Sequence, residues 1–250
     1  MQIDGLQAVV TGGASGLGEA AARMLAAAGA QVAIFDMNAA RGEGVATDIG
    51  GSFHLVDVSD AASVAAGLTG LSPRICVSCA GIAPGAKTVD RDGNAHDAAL
   101  FAKTIAINLI GTFNVASQCA ALMATQAPLE EDGARGVIIN TASVAAFEGQ
   151  IGQTAYAASK GGVAALTLPM ARDMARSGVR VMAIAPGLFL TPMLEALPSE
   201  VQNSLGAQAP FPARLGAPAE FAKLVLHIIA NPMLNGEVIR LDAAIRMAPK

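Results

Sequence analysis

The sequence predicts a single α/β domain: one parallel, doubly wound sheet of seven strands with helices on both faces. Three observations carry that expectation. Apolar runs recur along the chain without alternating with polar residues, Ala-rich stretches long enough for helices lie between them, and a glycine-rich turn joins the first run to the first such stretch. With 250 residues, 53% of them hydrophobic, the chain suits one domain with a large core (1–250) better than two.

Leu6 to Val10 is the first strand, and Thr11-Gly12-Gly13-Ala14-Ser15-Gly16-Leu17-Gly18 turns it into a helix over Gly18 to Ala28. Gln31 to Phe35 and Phe53 to Val56 are the next strands, each followed by an acid, Asp36 and Asp57. A helix over Ala61 to Leu71 leads to the fourth strand, Ile75 to Cys79. Phe101 to Ala124 reads as one long helix, apolar on nearly every side, before the fifth strand, Val137 to Asn140. Helices over Ala155 to Ala175 and Ala219 to Ala230 then flank the strand Val179 to Ile184, and Val238 to Leu241 is the last. Strands covered on both faces are continuously apolar in this way. Two segments, Ile82 to Ala99 and Gly187 to Pro218, are long and rich in Gly, Pro or polar residues. Such loops in a compact domain are lids or binding loops. The second carries Leu188, Phe189, Leu190, Met193, Leu194 and Leu197, which need an apolar surface to pack on.

Composition narrows the functions available. The net charge is only -4 at pH 7 and no run of five like charges occurs, which disfavours nucleic acid. Three cysteines do not make a disulfide framework and the N-terminus lacks a signal-peptide layout, so a cytoplasmic protein is expected. Cys76 and Cys79 lie three apart in a strand and point to opposite faces, as core cysteines rather than a redox pair. Thr104 to Leu129 contains no charge and is long enough to span a bilayer. Asn108, Asn114, Gln118 and Gln126 interrupt it, so burial between layers or subunits is expected instead of a membrane. His54, His96 and His227 share no metal-ligand spacing, and Asp90, Asp92 and Asp97 lack the bidentate Glu of a calcium loop. Ser143 has no Gly-x-Ser-x-Gly elbow to make it an acyl nucleophile.

The glycine turn suits a pyrophosphate. Glycines let the backbone turn tightly and approach the phosphates, and the helix opening at Ser15, Gly16, Leu17 and Gly18 offers free N–H groups and a partial positive charge. Asp36 ends the second strand eighteen residues after Gly18, where its carboxylate can accept from both hydroxyls of an adenosine ribose and repel a 2'-phosphate. Neither Ser15 nor Met37 supplies a cation for that phosphate, so the expected cofactor is NAD rather than NADP.

Tyr156, the one tyrosine, and Lys160 are four apart on a helix and share a face. A neighbouring cation, together with the positive nicotinamide, lowers a phenol whose ordinary pKa is ~10, so the pair can shuttle a proton. Ser143, thirteen residues upstream and just past a strand, suits a hydroxyl that holds a substrate oxygen; Asn108 lies in the charge-free helix and Pro186-Gly187 follows the next strand.

From end to end these features resemble the short-chain dehydrogenase/reductase family. Its Thr-Gly-x-x-x-Gly-x-Gly is matched by Thr11, Gly12, Gly16 and Gly18, its adenine-side acid by Asp57-Val58, and its Ala-Gly by Ala80-Gly81. Its Asn-Ser-Tyr-Lys set falls on Asn108, Ser143, Tyr156 and Lys160, and its Pro-Gly-x-x-x-Thr on Pro186, Gly187 and Thr191. Asn140 to Gln150, Ile184 to Phe189, Phe211 to Gly216 and Asn235 to Asp242 look like the type II 3-hydroxyacyl-CoA dehydrogenase branch, also known as 17β-hydroxysteroid dehydrogenases. The resemblance implies a Rossmann fold and NAD-dependent interconversion of a 3-hydroxyacyl-CoA and its ketone. Tyr156 is then the acid/base, Ser143 orients the oxygen, Lys160 holds the nicotinamide ribose, and Asn108 positions a relay water. Gln153 and Phe189 join Ser143 and Tyr156 on the substrate side. It also implies a homotetramer. Two rivals stand beside this: a dehydrogenase of hydroxysteroids or other apolar secondary alcohols, and a catalytically silent NAD-binding regulator. Cations able to meet CoA phosphates near the loops are few: Lys87, Arg91, Lys103 and Arg214. Two departures are visible, Cys79 where many members carry an Asn that ties neighbouring strands, and Ala243-Ala244 for a common Gly-Gly.

Overall fold

A computed structural model describes residues 1–195 and 197–249, the side chain of Met193 excepted. Its strands are β1 (Gln7–Thr11), β2 (Gln31–Asp36), β3 (Ser52–Leu55), β4 (Ile75–Ser78), β5 (Gly136–Thr141), β6 (Val179–Pro186) and β7 (Val238–Leu241). All pairs are parallel, in the order β3-β2-β1-β4-β5-β6-β7. The chain winds one way from β1 and the other way from β4, and in such sheets ligands bind outside the carboxyl ends of the strands at that switch.

Alternate residues of each strand enter two separate cores, which is why the runs do not alternate in the sequence. Val10, Ile34, Val77, Ile139 and Ile184 pack with Leu25 of α1 (Gly16–Ala27) and Phe221, Val225 and Ile228 of a helix over Pro218–Ala230. Val9, Phe35, Cys76, Ile138 and Val181 face the other way, onto Val115, Cys119 and Met123.

Three local expectations are corrected. α2 (Ala39–Ile49) fills the interval between β2 and β3, for which no element is expected from the sequence. Val45, Ala46 and Ile49 give it a short inner face, and it is held at its ends: the Asn38 side chain accepts from Arg41 N at 3.2 Å, and Gly50 closes the helix at φ 65°. Gly42 interrupts its pattern because a Cβ there would collide with the Phe53 ring. After α3 (Ala61–Gly67), the long helix expected over Phe101 to Ala124 is α4 (Ala98–Ile105) and α5 (Gly111–Thr125), joined by a π-helical turn over Ala106–Ile110. Asp97 caps α4 by accepting from Ala99 N at 2.8 Å, so the first long loop ends before Ala99. Finally, following α6 (Thr154–Asp173), the segment from Gly187 to Pro218 contains α7 (Pro192–Glu195) and α8 (Ser199–Gly206), and α9 is Pro218–Ala230.

Candidate active site

A cleft of about 870 Å³ opens at the carboxyl ends of the strands. Gly12, Ser15, Gly16, Leu17, Gly18, Asp36, Asp57, Val58, Ala80 and Gly81 line it, and so do Ser143, Gln153, Tyr156, Lys160, Pro186, Gly187, Phe189 and Thr191. Of the motif residues named in the sequence, Thr11 and Asn108 are not in the lining, and of the four cations near the loops Lys103 is there while Lys87, Arg91 and Arg214 are not.

At one end the glycine turn fits a pyrophosphate. Gly12 holds φ at 64°, and a Cβ on it would lie 2.8 Å from Ala80 N; on Gly18 it would collide with the Gly12 carbonyl. Thr11 Oγ1 accepts from both Cys79 N and Ala80 N, each at 3.1 Å, and so ties the ends of β1 and β4 together at the switch. The Ser15 side chain does not cap α1, which leaves the first-turn N–H groups facing the cleft for an anion. Asp36 accepts from Ala14 N at 3.1 Å and Asn38 N at 2.9 Å, which fixes its carboxylate while leaving each oxygen a lone pair for a ribose hydroxyl. Asp57 accepts from Ser59 N and Oγ at 2.9 and 2.6 Å. The structure also places a cation close by that the sequence did not point to: Arg41 Nε donates to Ala14 O at 3.1 Å, and its guanidinium lies 3.5 Å from Glu19.

At the other end Ser143, Tyr156 and Lys160 converge. Ser143 caps the short turn Val144–Ala146, its Oγ accepting from Ala145 N at 3.1 Å, so its own proton stays free to donate. Lys160 is 5% exposed, and its Nζ donates to Thr141 O at 2.6 Å. Burial pulls that ammonium down to about 8, against a smaller upward influence from Cys79. Burial pushes the Tyr156 phenol above its ordinary value, and the Ser143 hydroxyl acts in the opposite direction. In the protein without the nicotinamide's positive charge, burial thus outweighs any lowering of the phenol. The ammonium is turned to the Thr141 carbonyl, 5.9 Å from the ring centroid, and is itself poorly solvated.

Asn108 sits behind the cleft, fully buried. Its Oδ1 accepts from Ile82 N at 2.8 Å, and its Nδ2 donates to Ile82 O at 2.8 Å and Ser159 Oγ at 3.0 Å. The π-helical turn is what reaches the side chain to both. Gln153 lends its Oε1 to Gln150 N at 3.0 Å. Phe189 is only 7% exposed and packs into the core cluster of Phe221, so it is a wall of the cleft and not a loose lid residue. Cys79 takes over a strand tie: Thr141 Oγ1 donates to its Sγ at 3.4 Å, and burial pushes the thiol up to about 11, so it is not a reactive thiolate. Sequence reasoning missed Thr141, Gln150 and Met247, all in the cleft lining. A strand-end position was a signal for Thr141; nothing local marked Met247.

Residues 7–202 match the family model described as short chain dehydrogenase. The chain belongs to the short-chain dehydrogenase family. It is 51% identical over 255 residues to 3-hydroxyacyl-CoA dehydrogenase type-2 of Rattus norvegicus, covering 99% of this chain and 97% of that protein. It is 35% identical over 244 residues to ipsdienol dehydrogenase of Ips pini, covering 95% and 96%. The solved structure of 3-hydroxyacyl-CoA dehydrogenase type-2 from Mycobacterium avium superposes with a TM-score of 0.95 at 42% identity, over 100% of both chains. As a member of this family the chain is an NAD-dependent dehydrogenase. The open N-terminus of α1, the fixed Asp36 carboxylate and the buried Lys160 ammonium fit the cofactor's pyrophosphate, adenosine ribose and nicotinamide ribose in turn.

Proposed function

We propose that the chain interconverts a 3-hydroxyacyl-CoA and the 3-ketoacyl-CoA. One observation carries the reading: Ser143, Tyr156 and Lys160 meet at the far end of the cleft from the pyrophosphate turn, in a chain half identical to a 3-hydroxyacyl-CoA dehydrogenase along nearly its whole length. Bound NAD would supply the acceptor for the hydride of the carbinol carbon. Ser143 donates a hydrogen bond to the substrate oxygen and so fixes it while keeping its own proton, and Tyr156 takes the substrate's hydroxyl proton as acid/base. Lys160 holds the nicotinamide ribose, and its charge together with that of the oxidised nicotinamide would offset part of the cost of forming a phenolate in a buried place. Asn108 never meets the substrate. It sets the Ile82 backbone and the Ser159 hydroxyl, and through them the water that relays protons onward.

An apolar secondary alcohol, such as a hydroxysteroid, is the second reading. It is favoured by Leu188, Phe189 and Leu194 in the cleft wall and by the 35% identity to ipsdienol dehydrogenase. A panel of acyl-CoA, steroid and simple alcohol substrates, followed by NADH absorbance, decides. Highest kcat/KM on a 3-hydroxyacyl-CoA supports the proposal, highest on a steroid or simple alcohol overturns it, and no turnover with any substrate leaves the NAD-binding regulator.

Homotetramer assembly and a cytoplasmic location belong to the same proposal. Ile110 is 47% and Phe113 52% exposed on the charge-free helix, an apolar face that a second copy would cover. Cys76, Cys79 and Cys119 are all free thiols, in keeping with a reducing compartment.

A further inference from the structure

Beyond β7 the chain turns back toward the catalytic loop. Asp242 accepts from Ala244 N at 3.1 Å, and Ala243 and Ala244 hold φ at 50° and 63°, a left-handed conformation that alanine adopts reluctantly. Ile245 is then buried. The next residues are fastened to the loop that follows Ser143 by three hydrogen bonds. Met247 N donates to Glu148 Oε2 at 3.3 Å, Gln150 Nε2 to Ala248 O at 3.0 Å, and Ile151 N to Pro249 O at 2.9 Å. Glu148 is held in place by both Arg240 nitrogens, at 2.7 and 3.0 Å, and by Arg246 Nε at 3.3 Å; Arg240 is in turn paired with Asp242 at 2.7 Å. The result is that Met247 stands in the cleft lining with Gln150, Gln153, Tyr156 and Leu188.

We infer that Met247 is a size-selecting wall of the substrate end of the cleft, and that Glu148 is a positioning residue that sets its distance from Ser143. The segment that carries Met247 is fastened to the loop that follows Ser143, so the room between them for the substrate's carbon skeleton is fixed by the fold. Met247 is unbranched and apolar, with no hydrogen bond to offer, so it discriminates by volume alone. This inference rests on the dehydrogenase reading above and adds a determinant of which homologue is taken.

The test compares a small straight-chain 3-hydroxyacyl-CoA with a longer and an α-branched homologue, using wild type, Met247→Ala, Met247→Leu and Glu148→Gln. Met247→Ala is expected to raise kcat/KM for the bulkier substrates relative to the small one by about tenfold, the scale at which apolar pockets sort carbon groups. Met247→Leu, of similar volume, keeps the wild-type ratio. Glu148→Gln moves the ratio in the same direction as Met247→Ala, because the wall is no longer held. NAD affinity, titrated separately by fluorescence, stays at the wild-type value in both Met247 variants and reports that they are folded. A ratio unchanged within about twofold in Met247→Ala, with NAD still bound, overturns the inference, since apolar sorting predicts more. If wild type turns over no acyl-CoA, the proposed function fails instead, and the same ratio is read on homologues of whichever alcohol it does oxidise.

Discussion

Lys160, to which the proposed mechanism gives the nicotinamide ribose, is an ammonium kept where an ammonium is least stable, and replacing it separates fold from function. Burial brings it from 10.5 to about 8. At 1.36 kcal/mol per unit, keeping it charged at neutral pH costs the native state about 3 kcal/mol. Lys160→Met retains the length of the stem and removes that cost, but strips Thr141 O of its donor, a loss of about 1–2 kcal/mol. The variant without cofactor is thus expected to be more stable than wild type by about 1–2 kcal/mol, or a few degrees in Tm for a chain of this size. The sign of the pH dependence follows from the depressed value. Below about 8 both folded and unfolded lysine are protonated and the full cost is present. Between about 8 and 10.5 the unfolded chain holds the proton that the native state has lost, so wild-type stability contributed by this group rises with pH. Calorimetry at fixed protein concentration, once well below pH 8 and once near pH 10.5, should show the variant's advantage over wild type disappearing and then reversing. A gap that stays constant or widens would refute the reasoning, whatever its size. Turnover and NAD affinity should both fall in the variant, since one ammonium serves the ribose and the phenol.

Tyr156→Phe keeps the ring and its packing but removes the transferable proton, so NAD should still bind while kcat drops by about 10² to 10⁴; retention of more than about a tenth of wild-type kcat would contradict the acid/base assignment. Asp36→Ala should weaken NAD and narrow the preference over NADP, because it removes the repelling charge and frees the N–H groups of Ala14 and Asn38, with Arg41 close by. Equal kcat/KM for the two cofactors in wild type would show that Asp36 does not discriminate. Sedimentation at micromolar concentration should find an oligomer, and a stable monomer would mean that Ile110 and Phe113 are left to solvent.

How much of this was legible in the sequence depended on range. Whatever lies within one strand, turn or helix could be read directly. The sheet followed from unbroken apolar runs, the phosphate turn from glycines that no Cβ can replace at Gly12 and Gly18, and the Tyr156–Lys160 pair from a four-residue spacing that the helix puts on one face. Asp36 was legible because it ends a strand a set distance beyond the turn. The tertiary structure decided what depends on packing between elements distant in sequence. How α2 packs rests on its caps and on Phe53 beside Gly42, since its apolar face of Val45, Ala46 and Ile49 is short. Asn108 faces Ile82 and Ser159 instead of the substrate because a π-helical turn and α6 meet there. Lys160 is pulled down to about 8, and Tyr156 is raised instead of lowered, because solvation is a property of all the neighbours together. Met247 reaches the cleft through a bond to Glu148, 99 residues away, and no local pattern encodes such a contact. Spacing fixes geometry only along a single element; the meeting of elements is set by the sum of many weak apolar contacts, and that sum exists only in the folded chain.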